Sequence, residues 1–250
     1  MSSVLITGAS SGFGQACARR FAAAGKPLVL CARRADRLEA LADELAGQTA
    51  VHWVALDVRD RDAVYALPGA LPPAFAEVSV LVNNAGLALG LGGADVADIN
   101  HWETMVDTNI KGLMYLTQAM LPGMVARGGG HVVNIGSVAA SWPYPGGNVY
   151  GGTKAFVQQF SRNLRADLLG KNIRVSNVEP GMCETEFSVV RFAGDADRAS
   201  QVYAGMAPLR GEDIAEIVFW VTALPSHINV NQLEVMPLAQ AWGPFAVHRD

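Results

Sequence analysis

The chain has 250 residues, 50% of them hydrophobic and 17% charged, which is enough apolar material for one large core and a length suited to a single α/β domain spanning 1–250. A formal net charge of −4, with no basic cluster longer than a pair, leaves no electrostatic footprint for nucleic acid or an anionic membrane. No apolar stretch approaches a membrane-spanning length, and the sequence opens directly into a strand-like run without room for a signal peptide, which points to the cytoplasm.

Ser3 to Ile6 is a short apolar run, followed by Thr7-Gly8-Ala9-Ser10-Ser11-Gly12-Phe13-Gly14 and a helical pattern from Gln15 to Ala24. A glycine-rich turn by itself is as readily a plain loop. Between a strand and a helix start it becomes a phosphate cradle, because glycine lets the backbone approach and the free N–H groups with the helix dipole hold an anion. The spacing is Gly-x-x-x-Gly-x-Gly, not the usual Gly-x-Gly-x-x-Gly dinucleotide fingerprint. Lys26 to Ala32 reads as the second strand. Its end carries no acid for a ribose 2′-hydroxyl but is followed by Arg33 and Arg34, whose forks suit a 2′-phosphate, so NADP is expected. The competing reading is that the arginines merely open a solvated helix from Arg34 to Leu45.

Val51 to Val58 forms the third strand-like run, with Asp57 and Val58 at its end, where the carboxylate could accept from an adenine amino group. The three prolines and one glycine of Ala66 to Pro73 are expected to end the third helix. Val78 onward ends in Asn83-Asn84-Ala85-Gly86, either a tight turn made of turn-forming residues or a further piece of the cofactor wall. Helical patterns follow over Ile99 to Arg127 and Val149 to Leu169, with strands at His131 to Ile135 and Ile173 to Val178. Such alternation implies parallel strands with right-handed crossovers: an α/β, doubly wound Rossmann domain with helices on both faces.

Ser137 ends the fifth strand-like segment, and Tyr150 and Lys154 stand four residues apart on the next helix, sharing a face. Alone, this is an ordinary helix pair. In the order found here, an ammonium beside the phenol, with a charged nicotinamide ring, favours phenolate. Moving a tyrosine from about 10 to 7 takes about 4 kcal/mol, and the result is a general base for an alcohol proton. Past Pro180-Gly181 the regular pattern breaks, which marks a lid at about 182–210. A last strand runs from Asn231 to Met236, and Trp242 and Phe245 in the tail dock either on a neighbouring subunit or on their own core. Cys17, Cys31 and Cys183 fit a reducing compartment. Cys183 is either a small core residue or a thiol near the cofactor. Scattered histidines give no metal-ligand spacing.

Thr7-Gly-x-x-x-Gly-x-Gly14, Asn83-Asn84-Ala85-Gly86, Asn109, Ser137, Tyr150-x-x-x-Lys154 and Pro180-Gly181 together resemble the short-chain dehydrogenase/reductase signature over the whole chain. The strings Asn84 to Gly90, Ser141 to Tyr150 and Thr185 to Phe192 look more narrowly like the NADP-dependent 3-hydroxy acid dehydrogenases, a group that includes serine and allo-threonine dehydrogenases. The stretch between Gly181 and Thr185 is a residue shorter than in that group, which bears on the lid and on substrate choice. The resemblance implies a homotetramer and hydride transfer between NADP and a small 3-hydroxy acid. Tyr150 would be the base, Ser137 would orient the substrate oxygen, Lys154 would hold the nicotinamide ribose, and Asn109 would support a water-linked proton path. It also implies cofactor contacts at Pro180, Gly181 and Thr185. For substrate, Arg191 is the candidate for the carboxylate and Glu179 for an amine, each against the reading of an ordinary solvated or paired charge; Trp142 and Tyr144 shape the pocket or pack their loop. A reductase of a larger ketone or 3-oxoacyl substrate, and a non-catalytic NADP sensor, are the alternatives.

Overall fold

Seven parallel strands share one sheet in the computed structural model, which describes residues 2–192 and 194–243. The strands in chain order are β1 (Ser3–Thr7), β2 (Leu28–Ala32), β3 (Val51–Ala55), β4 (Val78–Asn83), β5 (Gly130–Ile135), β6 (Ile173–Pro180), the two-residue β7 (Cys183–Glu184) and β8 (Leu209–Arg210), and β9 (Gln232–Val235). The helices are α1 (Gly12–Ala23), α2 (Ala35–Leu45), α3 (Arg61–Ala70), α4 (Ile99–Val106), α5 (Leu113–Ala126), α6 (Asn148–Asp167), α7 (Glu186–Arg191), α8 (Ala196–Gln201) and α9 (Gly211–Ala223).

The sheet order β3-β2-β1-β4-β5-β6-β9 reverses direction between β1 and β4. That switch leaves a crevice beyond the carboxyl ends of those two strands, where doubly wound folds bind ligands. Apolar alternation builds both faces. Val4 and Ile6 pack with Phe21, Leu38, Ile214 and Val218 under α1, α2 and α9, while Leu5, Val29 and Leu81 pack with Val64, Leu116, Met124 and Leu164 under α3, α5 and α6.

The third helix ends within Ala66 to Pro73 as expected, and a later one departs from the sequence expectation. α3 passes through Pro68 to Ala70, and the stop comes at Leu71, whose extended ψ of 136° is the conformation preferred before Pro72. The stretch from Ile99 is interrupted by a π-helical turn at Asp107–Gly112, which widens the helix by a residue beside Asn109.

At the amino end of the sheet, His131 on β5 is buried, with Nε2 2.8 Å from Ser176 Oγ. Ser176 donates its own proton to Val230 O at 2.6 Å, so Nε2 is the protonated nitrogen and Nδ1 is left without a partner among the described residues. Burial pushes this histidine down to about 3.

The segment from 182 to 210 leaves the sheet after β6, closes on itself by the parallel β7–β8 pair, and lays α7 over the carboxyl ends of the strands. Trp142 and Trp242 both donate indole N–H groups to Glu234, at 2.7 and 3.0 Å, with their rings 5.4 Å apart. The tail therefore docks on its own chain as far as Trp242; Phe245 lies outside the described residues.

Candidate active site

The turn after β1 holds its shape by close packing. A Cβ on Gly14 would stand 2.3 Å from Gly8 O and 2.6 Å from Asn84 Nδ2, so only glycine fits, and Gly8 and Gly12 adopt positive φ of 65° and 52°. Thr7 and Asn84 tie this turn to the end of β4. The Thr7 hydroxyl accepts from the backbone N–H groups of Asn84 and Ala85, at 3.0 and 2.9 Å, and the Asn84 amide donates to Thr7 O at 2.8 Å. Its side chain thus joins two strand ends.

A cleft of about 310 Å³ opens over this junction. Gly8, Ser10, Ser11, Gly12 and Phe13 form one wall, Arg33, Arg34, Asp57 and Val58 a second, and Asn84, Ala85 and Gly86 a third. Ser137, Tyr150, Lys154, Pro180 and Gly181 close the far end, and Thr185 stands over Gly12. Gly14 stands behind the turn. Both Asp57 oxygens are taken by Arg59, whose hydrogen bonds hold that carboxyl below its usual range.

Sequence reasoning missed Arg37 and Glu186. Arg34 donates to Ser10 Oγ at 3.2 Å and lies 3.2 Å from Glu186 Oε2, while Arg37, one turn along α2, donates to Glu186 Oε1 at 2.6 Å. Burial raises the Glu186 carboxyl, but the bonds from Arg37 and Arg34 prevail and hold it below its usual value. The i, i+3 spacing of Arg34 and Arg37 was the available signal.

At the other end, Tyr150 is 9% exposed and packs against Ala88, Met105 and Phe187, whose ring lies 5.6 Å away. Burial pushes its phenol up to about 12, against which the Ser137 hydroxyl and Arg191 pull downward. Lys154 Nζ donates to Ile135 O at 2.8 Å and stands 5.8 Å from the Tyr150 ring centroid, and burial brings the amine down to about 8. The amine is directed at a strand end, and desolvation governs the phenol. Ser137 Oγ accepts from Ala139 N–H at 3.1 Å, and Lys154 faces Gly86, where a Cβ would come within 3.6 Å of Nζ.

Asn109 is buried one layer behind. Its amide is fully used: Oδ1 accepts from Leu87 N–H at 2.9 Å, and Nδ2 donates to Leu87 O and Thr153 Oγ1 at 2.9 and 3.1 Å.

Arg191, on the last turn of α7, donates to the Tyr144 hydroxyl at 2.7 Å and lies over both the Tyr144 and Tyr150 rings. Its Nε is buried and has no partner among the described residues.

Two expectations are corrected. Glu179 is 0% exposed, beneath the cleft, its carboxylate held by the side-chain amides of Gln158, Asn177 and Gln232 at 3.0, 2.6 and 2.8 Å. Burial raises its pKa against a downward pull from the Arg162 charge, and among the described residues it forms no ion pair and does not line the cleft. Trp142 is held by Glu234 at the outside of the loop. Cys183 does reach the cleft, but burial pushes its thiol up to about 12, the state of an inert residue.

This arrangement of turn, strand ends and tyrosine helix coincides with known proteins. The model described as short chain dehydrogenase matches residues 2–195. The chain belongs to the short chain dehydrogenase family. Sulfoacetaldehyde reductase 2 of Chromohalobacter salexigens is 55% identical over 248 residues, covering 99% of this chain and 98% of that protein. The NADP-dependent 3-hydroxy acid dehydrogenase YdfG of Salmonella typhi is 53% identical, covering 99% of both. The structure of the closed form of serine dehydrogenase complexed with NADP+ is 51% identical over 99% of both chains, with a TM-score of 0.95. The dehydrogenase is an NADP-dependent oxidoreductase acting on CH–OH groups of small hydroxy compounds. Its own residues fit that coenzyme: the glycine cradle excludes any side chain, and the arginines beside it already hold an anionic carboxylate.

Proposed function

We propose that the dehydrogenase oxidises small 3-hydroxy acids of the serine, allo-threonine or 3-hydroxypropionate type, and reduces the corresponding carbonyl compounds. The observation that carries this reading is Arg191, a guanidinium set over Tyr150 with its Nε buried and unpartnered. A buried donor without an acceptor is costly, and a substrate carboxylate admitted by a shift of α7 would satisfy it. In a 3-hydroxy acid one carbon separates the carboxylate from the carbinol carbon, so an anion on Arg191 brings the hydroxyl toward Tyr150.

A coenzyme held in this cleft would supply the hydride chemistry and, in its oxidised form, would add positive charge to the site. Tyr150 accepts the hydroxyl proton, Ser137 orients the substrate oxygen, and Lys154, facing Gly86, would hold the nicotinamide ribose. Asn109 acts by position: it clamps the Leu87 peptide and so fixes the turn at Asn84 to Gly86. Phe187, Tyr144 and Arg191 exclude water from the reacting centre, with the segment at 182–210 as the lid of one continuous domain. Its likeness to a closed form supports that role.

A 2-hydroxyethanesulfonate is the second reading, favoured by the 55% identical reductase. It places a tetrahedral anion at the same one-carbon distance. A homotetramer is supported by the exposed apolar residues Ile99, Met114, Leu169 and Trp220, and a cytoplasmic setting by three buried, unpaired cysteines. The deciding assay follows nicotinamide absorbance with NADP and a panel of 3-hydroxy acids, 2-hydroxyethanesulfonate and uncharged alcohols. The reading requires the anionic substrates to exceed neutral alcohols of equal length in kcat/KM, and fails if the neutral ones match them.

A further inference from the structure

The lid helix α7 begins with a carboxylate placed on the arginines beside the glycine cradle. Glu186 Oε1 receives Arg37 Nη1 at 2.6 Å, and Oε2 receives Arg34 Nη1 and Nη2 at 3.2 and 3.3 Å. Arg34 is held at the cradle by its contacts with Ser10 Oγ and Ser10 O, at 3.2 and 3.4 Å, which places its guanidinium beside the glycine turn. The residues on either side of Glu186 are fixed. Thr185 caps α7 and faces Gly12, while Phe187 packs on Tyr150. The backbone that carries the carboxylate is therefore fixed beside the arginines while α7 stays in place.

We propose that Glu186 competes with the coenzyme 2′-phosphate for Arg34 and Arg37, and so sets how strongly the dehydrogenase holds NADP relative to NAD. A phosphate dianion and this carboxylate require the same donors, and any contact the phosphate gains on Arg34 is taken from Glu186. What remains is a like-charge pair around one guanidinium. The side chains concerned, at 40, 44 and 45% exposure, lie close to solvent, so the existing ion pair is exchangeable and its contribution modest. NAD, with a hydroxyl in place of the phosphate, leaves the Arg34–Glu186–Arg37 bridge intact. Glu186 therefore weakens binding of the phosphorylated coenzyme alone, and couples its arrival to the amino end of the lid.

The inference rests on NADP dependence and not on which alcohol is oxidised, so it is tested by coenzyme binding without substrate. Titration calorimetry of Glu186→Gln, which keeps shape and removes charge, should give an NADP Kd lower by about fivefold with the NAD Kd changed less than about twofold, the scale of an exposed ion pair. An NADP Kd that is unchanged or higher overturns the proposal. In an Arg34→Gln, Arg37→Gln background the same substitution should leave NADP affinity unaltered. If it still tightens NADP there, the carboxylate acts as a distant charge, and competition for these arginines is refuted.

Discussion

The guanidinium carbon of Arg191 lies 5.7 Å from the ring centroid of Tyr150 and 5.2 Å from that of Tyr144, placing a cation beside the buried phenol proposed as the base. Replacing Arg191 with methionine keeps an apolar stem over both rings and removes the fork. For an anionic substrate, loss of a charge-assisted pair should reduce kcat/KM by roughly a hundredfold, while a neutral alcohol of equal length should change little. Steady-state kinetics on the two substrates decide it. Equal losses would show that Arg191 supports the lid and does not read the anion.

Tyr150→Phe should leave the packing against Phe187 and Met105 intact and remove only the hydroxyl. NADP affinity, read by fluorescence titration, should stay within about twofold. Turnover should fall at least about a thousandfold, the general-base contribution together with the lost substrate hydrogen bond. A variant that retains a tenth of the activity would remove Tyr150 from proton transfer.

Arg33 and Arg34 both border the cleft, and Arg34 is fastened to the cradle through Ser10. The double substitution to alanine should weaken NADP by about 2–4 kcal/mol while costing NAD less than about 1, because only the phosphorylated coenzyme loses charged bonds. Parallel Kd measurements with the two coenzymes give the answer, and losses of equal size would refute 2′-phosphate recognition.

His131 predicts an acid-sensitive stability. Burial holds it down to about 3 in the folded chain, against about 6.5 when unfolded. The folded state thus keeps the ring neutral while the unfolded chain takes up a proton. The stability is whole above about pH 6.5 and falls by about 1.4 kcal/mol per pH unit as pH drops toward 3. His131→Gln, which retains a donor to Ser176, should flatten that slope by one proton's worth in urea unfolding between pH 7 and 4. Parallel curves for parent and variant would remove His131 as the source.

The features legible in the sequence are those fixed by local rules. The glycine turn, the Asn83 to Gly86 bend and the Tyr150–Lys154 pair each follow from conformational need or helical spacing, and the strand–helix alternation orders them along the crevice. Glu179 was misplaced although its position could be read: Val175, Asn177 and Glu179 share one parity of β6, facing α6 and Gln158, while Val178 faces α9. The pairing of Arg37 with Glu186 spans 149 positions of sequence and carries no local signal. Nor does the burial of Tyr150, which depends on how α7 settles over α6. Charge next to the phenol was legible; desolvation, the larger influence here, was not.

The π-turn at Asp107–Gly112 has a final consequence. Trimming one residue there would restore uninterrupted α-helical register from Ile99 to Ala126, an edit that helix propensity alone would favour. It would also rotate Asn109 away from the Leu87 peptide it clamps, releasing the bend opposite Lys154. In this protein the better helix would make the poorer catalyst, and selection for heat resistance should leave that irregularity untouched.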